Sequence, residues 1–205
     1  MPSTPKTGPA TPPKTRRRGV AGLVLAPGAS AGRDQPALVA IDDAVSVSGV
    51  AVERVDFPYR LAGRRAPDKA PVLIATVVEA AQSLAETLRV APRRIALGGR
   101  SMGGRMCSMA VADGLAAAAL VLVSYPLHPP GRLDRLRTEH FPALDLPCLF
   151  VSGTRDTFGS RQELEAATAA ILGPVTHVWI EAGDHGLRGK DSQVAAVVND
   201  WILGL

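Results

Sequence analysis

Aromatic residues make up only 4% of this 205-residue chain. Single-stranded nucleic acid is usually held on aromatic faces, so that partner class is not expected. Cysteine is scarcer: Cys107 and Cys148 stand alone, at no metal-ligand spacing, inside an expected helix and an expected strand. Both read as buried free thiols, which suits a reducing cytoplasm. The histidines are scattered without an HxxxH pair, so neither a metal nor another cofactor is expected. No run approaches the roughly 18 apolar residues of a membrane span, which leaves membranes out as partners.

Acidic residues are absent from residues 1–18, "MPSTPKTGPATPPKTRRR", which hold five of the 23 Lys and Arg. The other 187 residues therefore carry 18 basic groups against 19 acids. The formal charge of +4 belongs to this segment and says little about the rest. Its Pro/Thr/Lys composition cannot bury apolar surface and reads as a disordered, solvated tail. "RRRGVAGLVLAPGASA" imitates a secretory signal, but its apolar run is near the minimum length and breaks at Pro27-Gly28. A buried strand entering a glycine turn accounts for the same residues.

Residues 19–205 read as one domain, and 46% hydrophobic residues are ample for its core. Apolar runs at 19–26, 49–58, 94–99, 118–126, 147–153 and 175–183 alternate with helical patterns near 36–48, 68–90, 102–113, 160–172 and 190–203. Ser160 with Glu163 forms a capping-box pattern, and Asp113-Gly114 a helix stop. Residues 127–146, rich in proline, read as a loop with one short helix at most. Continuously apolar strands alternating with helices predict a three-layer α/β/α, doubly wound, essentially parallel sheet of about six strands.

In such sheets ligands bind beyond the carboxyl ends of the strands. The residues expected there are few. Pro27-Gly28-Ala29-Ser30 follows the first run and Pro58-Tyr59-Arg60 the second. Arg100-Ser101-Met102 follows the third, and Tyr125 to His128 the fourth. Thr154-Arg155-Asp156 and Asp184-His185-Gly186 follow the last two. A hydroxyl, a carboxylate and an imidazole thus share one edge, in the chain order Ser, Asp, His of a nucleophile-elbow hydrolase. A serine hydroxyl needs a base to take its proton, and a neutral imidazole needs a carboxylate to fix its tautomer. The G-x-S-x-G stretch "GRSMG" supplies small flanks for the sharp turn. The N–H groups of Met102 and Ala29, with Ser30 behind, are the expected oxyanion donors.

Each residue also has a plainer role to weigh. Ser101 could sit in a merely structural bend, and Asp156 in an ordinary turn. His177 falls mid-strand, while His128 and His140 lie in the long loop. Asp184 neighbours His185, but chain neighbours rarely present side chains to each other, which leaves Asp156 as the better acid. Arg100, Tyr59, Tyr125 and His128 are the candidate substrate contacts. Arg100, with Arg60 beyond it, hints at an anionic substrate, although a solvated or ion-paired arginine is commoner.

The segments "LAPGASAG", "DFPYRLAGRRAPD", "GGRSMGGRM", "SYPLHPPG", "LRTEHFPALDLPCLFVSGTRDTFG" and "EAGDHGL" resemble the α/β-hydrolase superfamily. The resemblance is closest to its small, lidless, dienelactone-hydrolase-like subgroup, with testis-expressed relatives in vertebrates, and spans nearly all of 19–187. It implies a reduced fold without the usual first two strands or a cap, with Ser101, Asp156 and His185 as nucleophile, acid and base. Relatives commonly carry His-Gly at Pro27-Gly28 and glycine at Ser30. The expectation is a serine hydrolase acting on a small-molecule ester. A non-catalytic interaction protein on the same fold is the rival, motivated by Pro27. A nucleotide binder using "GGRSMGGR" at a helix start lacks the Lys-Ser/Thr ending and the G-x-G-x-x-G spacing.

Overall fold

Short β-branched and leucine-rich runs become strands here because both of their faces are covered. The computed structural model describes residues 19–129 and 131–205; the expectation for the tail at 1–18 lies outside them. The strands are β1 (Gly22–Ala26), β2 (Ala51–Arg54), β3 (Ile95–Arg100), β4 (Leu120–Val123), β5 (Cys148–Gly153) and β6 (Val175–Ile180). The helices are α1 (Pro36–Val47), α2 (Pro58–Leu61), α3 (Ala70–Leu88), α4 (Met102–Ala112), α5 (Arg161–Thr168) and α6 (Asp191–Leu203). All strand pairs are parallel, in the order β2-β1-β3-β4-β5-β6.

Alternation along each strand sorts side chains into two cores. In β1, Leu23 and Leu25 join Leu38, Ile41, Val194 and Val198, so this face is covered by α1 and α6. Val24 and Ala26 point the other way, toward Val77, Met106 and Phe150 on the side of α3 and α4. The result is the expected three-layer, parallel α/β/α architecture.

Several elements are shorter than their apolar runs, for local reasons. The second run stops at Arg54 because Pro58 starts α2 in its first turn. The fourth stops at Val123 because Ser124 turns left-handed, at φ 49°. The last α4 residue is capped by Asp113, and Gly114 follows at φ 104°. The Ser160–Glu163 capping box opens α5. That helix ends at Thr168, whose hydroxyl donates to the Leu164 carbonyl. Among the described residues of the long loop only a 3₁₀ turn at Phe141–Ala143 is regular.

The chain leaves β1 toward β2 on one side, and β3 lies on the other. Divergence of the loops after β1 and β3 opens a crevice at this switch point. The Gly28–Ser30 turn and Ser101 stand on its two sides.

Candidate active site

Ser101 sits between β3 and α4 at φ 52°, ψ −116°, a backbone conformation that costs a non-glycine residue about 1–3 kcal/mol. The glycines around it allow close approach. A Cβ on Gly99 or Gly103 would strike the Ala26 carbonyl oxygen of β1, and one on Gly98 would come within 2.6 Å of the Val121 carbonyl. Glycine at 98, 99 and 103 is thus a packing requirement between three adjacent strands and a helix. The turn thrusts Ser101 out beyond the sheet edge.

Two loops bring the other groups to it. The Arg155 N–H donates to the Gly183 carbonyl at 2.8 Å, and the Ala182 N–H to the Thr154 hydroxyl at 2.9 Å, tying the loop after β5 to the loop after β6. Gly153 and Gly183 meet there so closely that a Cβ on Gly153 would collide with the Gly183 carbonyl. Ser101 Oγ lies 2.9 Å from His185 Nε2, and His185 Nδ1 lies 2.9 and 3.0 Å from the Asp156 carboxylate oxygens. With the ring proton on Nδ1 facing the carboxylate, Nε2 is free to accept from the serine hydroxyl. Asp156 is itself fixed, since the Phe158 N–H donates to its Oδ1 at 2.8 Å. The Phe158 ring stacks on His185 with centroids 3.9 Å apart and holds the imidazole plane.

A family model described as an alpha/beta hydrolase domain matches residues 19–199. The chain belongs to the alpha/beta hydrolase family. Among solved structures it is similar to an alpha-beta serine hydrolase homologue from Coxiella burnetii, with 18% identity, 92% of this chain and 87% of that one covered, and a TM-score of 0.72. Est1E from Butyrivibrio proteoclasticus gives 15% identity, 94% and 90% coverage, and 0.73. Dienelactone hydrolase from Anabaena variabilis gives 18%, 92% and 88%, and 0.71. At these identities the likeness is one of fold.

The hydrolase-fold crevice holds a cavity of about 460 Å³, lined by the Gly28–Ser30 turn, Ser101, His185, Phe158 and three arginines. The Gly28 N–H donates to Gln35 Oε1 at 3.0 Å and the Tyr59 hydroxyl to the Ala29 carbonyl at 2.7 Å, which fasten the turn from both ends. The N–H groups of Ala29 and Met102 make no hydrogen bond among the described residues. That of Met102 is free because the first turn of a helix has no internal acceptors. No helix among the described residues is long and apolar enough to cross a membrane.

The four expected substrate contacts part company. Arg100 lines the cavity and donates to the His185 carbonyl at 2.5 Å. Burial lowers its pKa, against the opposing pull of Asp156, Asp184 and Asp191. Tyr59, Tyr125 and His128 do not line the cavity and are at most 2% exposed. They are anchors: Tyr59 holds the Ala29 turn, the Tyr125 hydroxyl donates to the Arg137 carbonyl at 2.6 Å, and His128 Nδ1 lies 2.9 Å from the Pro129 carbonyl. The reason is local, because the turns at Pro58 and Ser124 swing the following side chains inward. Gln35, Arg105, Arg137 and Phe158 are site residues that the strand-end reading misses. Only Arg105, one helical turn beyond Ser101, could have been found from spacing.

Proposed function

We propose that this chain hydrolyses small carboxylic esters through an acyl-enzyme on Ser101. The observation carrying the reading is the unbroken hydrogen-bonded line from Ser101 through His185 to Asp156, opening into the cavity. Ser101 Oγ attacks the ester carbonyl carbon while its proton passes to His185 Nε2. Asp156 holds the Nδ1 proton and stabilises the imidazolium that forms. The N–H groups of Met102 and Ala29 donate to the oxyanion of the tetrahedral intermediate. Its collapse breaks the bond to the alcohol oxygen, which takes the Nε2 proton as it leaves. Water repeats the sequence on the acyl-enzyme, giving its proton to His185, and the acid departs with Ser101 restored. Arg100 works through His185, whose backbone it pins.

The reading is tested with short-chain 4-nitrophenyl esters on wild type and Ser101→Ala. A stoichiometric burst of 4-nitrophenol, or steady turnover, that Ser101→Ala abolishes supports it. Equal rates from the two folded proteins would exclude it.

A further inference from the structure

The cavity beside Ser101 carries a charge imbalance that ester hydrolysis does not require. Arg100, Arg105 and Arg137 line it, and among the described residues no carboxylate does. Arg100 is accounted for by the His185 carbonyl and by three nearby carboxylates. The other two guanidiniums are not. Neither joins an ion pair among the described residues. Arg105 is half-buried and its Nε has no hydrogen-bond partner among the described residues. Arg137 is also half-buried, and among the described residues its one side-chain bond is a long 3.4 Å contact from Nη1 to the Pro126 carbonyl.

The two cations sit close enough that Arg105 adds to burial in lowering the pKa of Arg137. Like charges held partly out of water repel each other and lose hydration, so left to itself this loop would swing Arg137 outward. The fold prevents that. Tyr125 clamps the Arg137 carbonyl, and the Arg137 N–H donates to the Leu127 carbonyl at 2.9 Å. His140 lies 2.8 Å from the buried Ser108 hydroxyl, and burial together with Arg105 pushes its pKa down to about 4, so it adds no third charge at neutral pH. Glu139 acts on His140 but is exposed and pairs with neither guanidinium. The Tyr125 hydroxyl and the Leu127 carbonyl thus hold the backbone of one unneutralised cation beside a second one, within the chamber that contains the nucleophile.

We propose that Arg105 and Arg137 form an anion subsite of this cavity, and that the ester cleaved at Ser101 bears a second, free anionic oxygen group, a carboxylate or a phosphate. The inference rests on the acyl-transfer reading of Ser101. Guanidinium forks match such oxyanions, and a charge-assisted hydrogen bond there would orient the substrate as well as hold it. A chamber of about 460 Å³ admits a small diacid monoester.

The test compares 4-nitrophenyl hydrogen glutarate with 4-nitrophenyl methyl glutarate, which differ by one capped carboxylate, on wild type and the Arg105→Met/Arg137→Met variant. Wild type is expected to favour the charged ester in kcat/KM by about 10- to 100-fold, and the variant to bring that ratio toward one. Competition by glutarate or by inorganic phosphate, lost in the variant, identifies which oxyanion the subsite takes. If the double variant misfolds by circular dichroism, Arg137→Gln is read by the same ratio. A wild-type ratio of one, or a ratio the variants leave unchanged, overturns the subsite while Ser101-dependent cleavage of the neutral ester keeps the hydrolase reading. Cleavage of neither ester, with Ser101 unreactive, would remove both.

Discussion

Tyr59→Phe removes one oxygen atom from a fully buried ring and leaves the core otherwise filled. The atom lost donates to the Ala29 carbonyl at 2.7 Å, on the turn that lines the cavity. A typical hydrogen bond of this kind contributes about 1 kcal/mol net, and one kcal/mol is about a fivefold change in an equilibrium. If that bond holds the turn in its donating geometry, kcat should fall about fivefold, with KM little changed. The ceiling is the 10²–10³-fold loss typical of deleting an oxyanion donor outright. Tyr125→Phe is the internal control, because its hydroxyl donates to a backbone carbonyl at 2.6 Å in an equally buried setting. It should lose about the same stability, but its kinetic effect should appear in KM for carboxylated esters, through Arg137. Urea denaturation and steady-state kinetics on both variants decide the matter. A Tyr59→Phe protein that loses about 1 kcal/mol yet keeps its kcat would refute the role given to the turn. So would an equal kcat loss in both variants.

Gly103→Ala places a methyl group against the Ala26 backbone, which cannot move without shifting β1; the variant should be destabilised by more than about 3 kcal/mol or fail to fold, as thermal melting would show. Cys107 and Cys148 have their thiol pKa values pushed up to about 12, by burial above all, so the native protein should resist a disulfide reagent that labels both in denaturant. His140, ordinarily near 6.5, is held down to about 4. Below pH 6.5 the unfolded chain takes up a proton there that the folded one refuses until about pH 4, so stability falls as pH drops through that window. His140→Gln should therefore lose less stability than wild type between pH 7 and pH 4.5, measured by urea denaturation.

The parallel sheet and the edge on which Ser101, Asp156 and His185 meet were legible because apolar runs, helical periods and the strand-end rule are properties of the chain itself. Distances between those side chains were not, since they depend on the Gly153–Gly183 contact between two loops. Tyr59 and Tyr125 show the limit of the rule. Position after a strand says that a residue lies at the right edge, while the turn at Pro58 or Ser124 decides whether its side chain faces the crevice or the core. Arg137 and Phe158 reach the cavity from irregular loops, where no period announces a face. Pro27 stands at the entry to the Gly28–Ser30 turn, yet Gln35 and Tyr59 still fasten that turn.

The central claim is an activated serine at position 101. It is tested most directly by intact-mass analysis after fluorophosphonate treatment of wild type, Ser101→Ala and His185→Gln. One adduct on wild type, none on Ser101→Ala and strongly slowed labelling of His185→Gln are predicted. A folded wild type that takes up no reagent, or that labels equally without Ser101, would contradict the account.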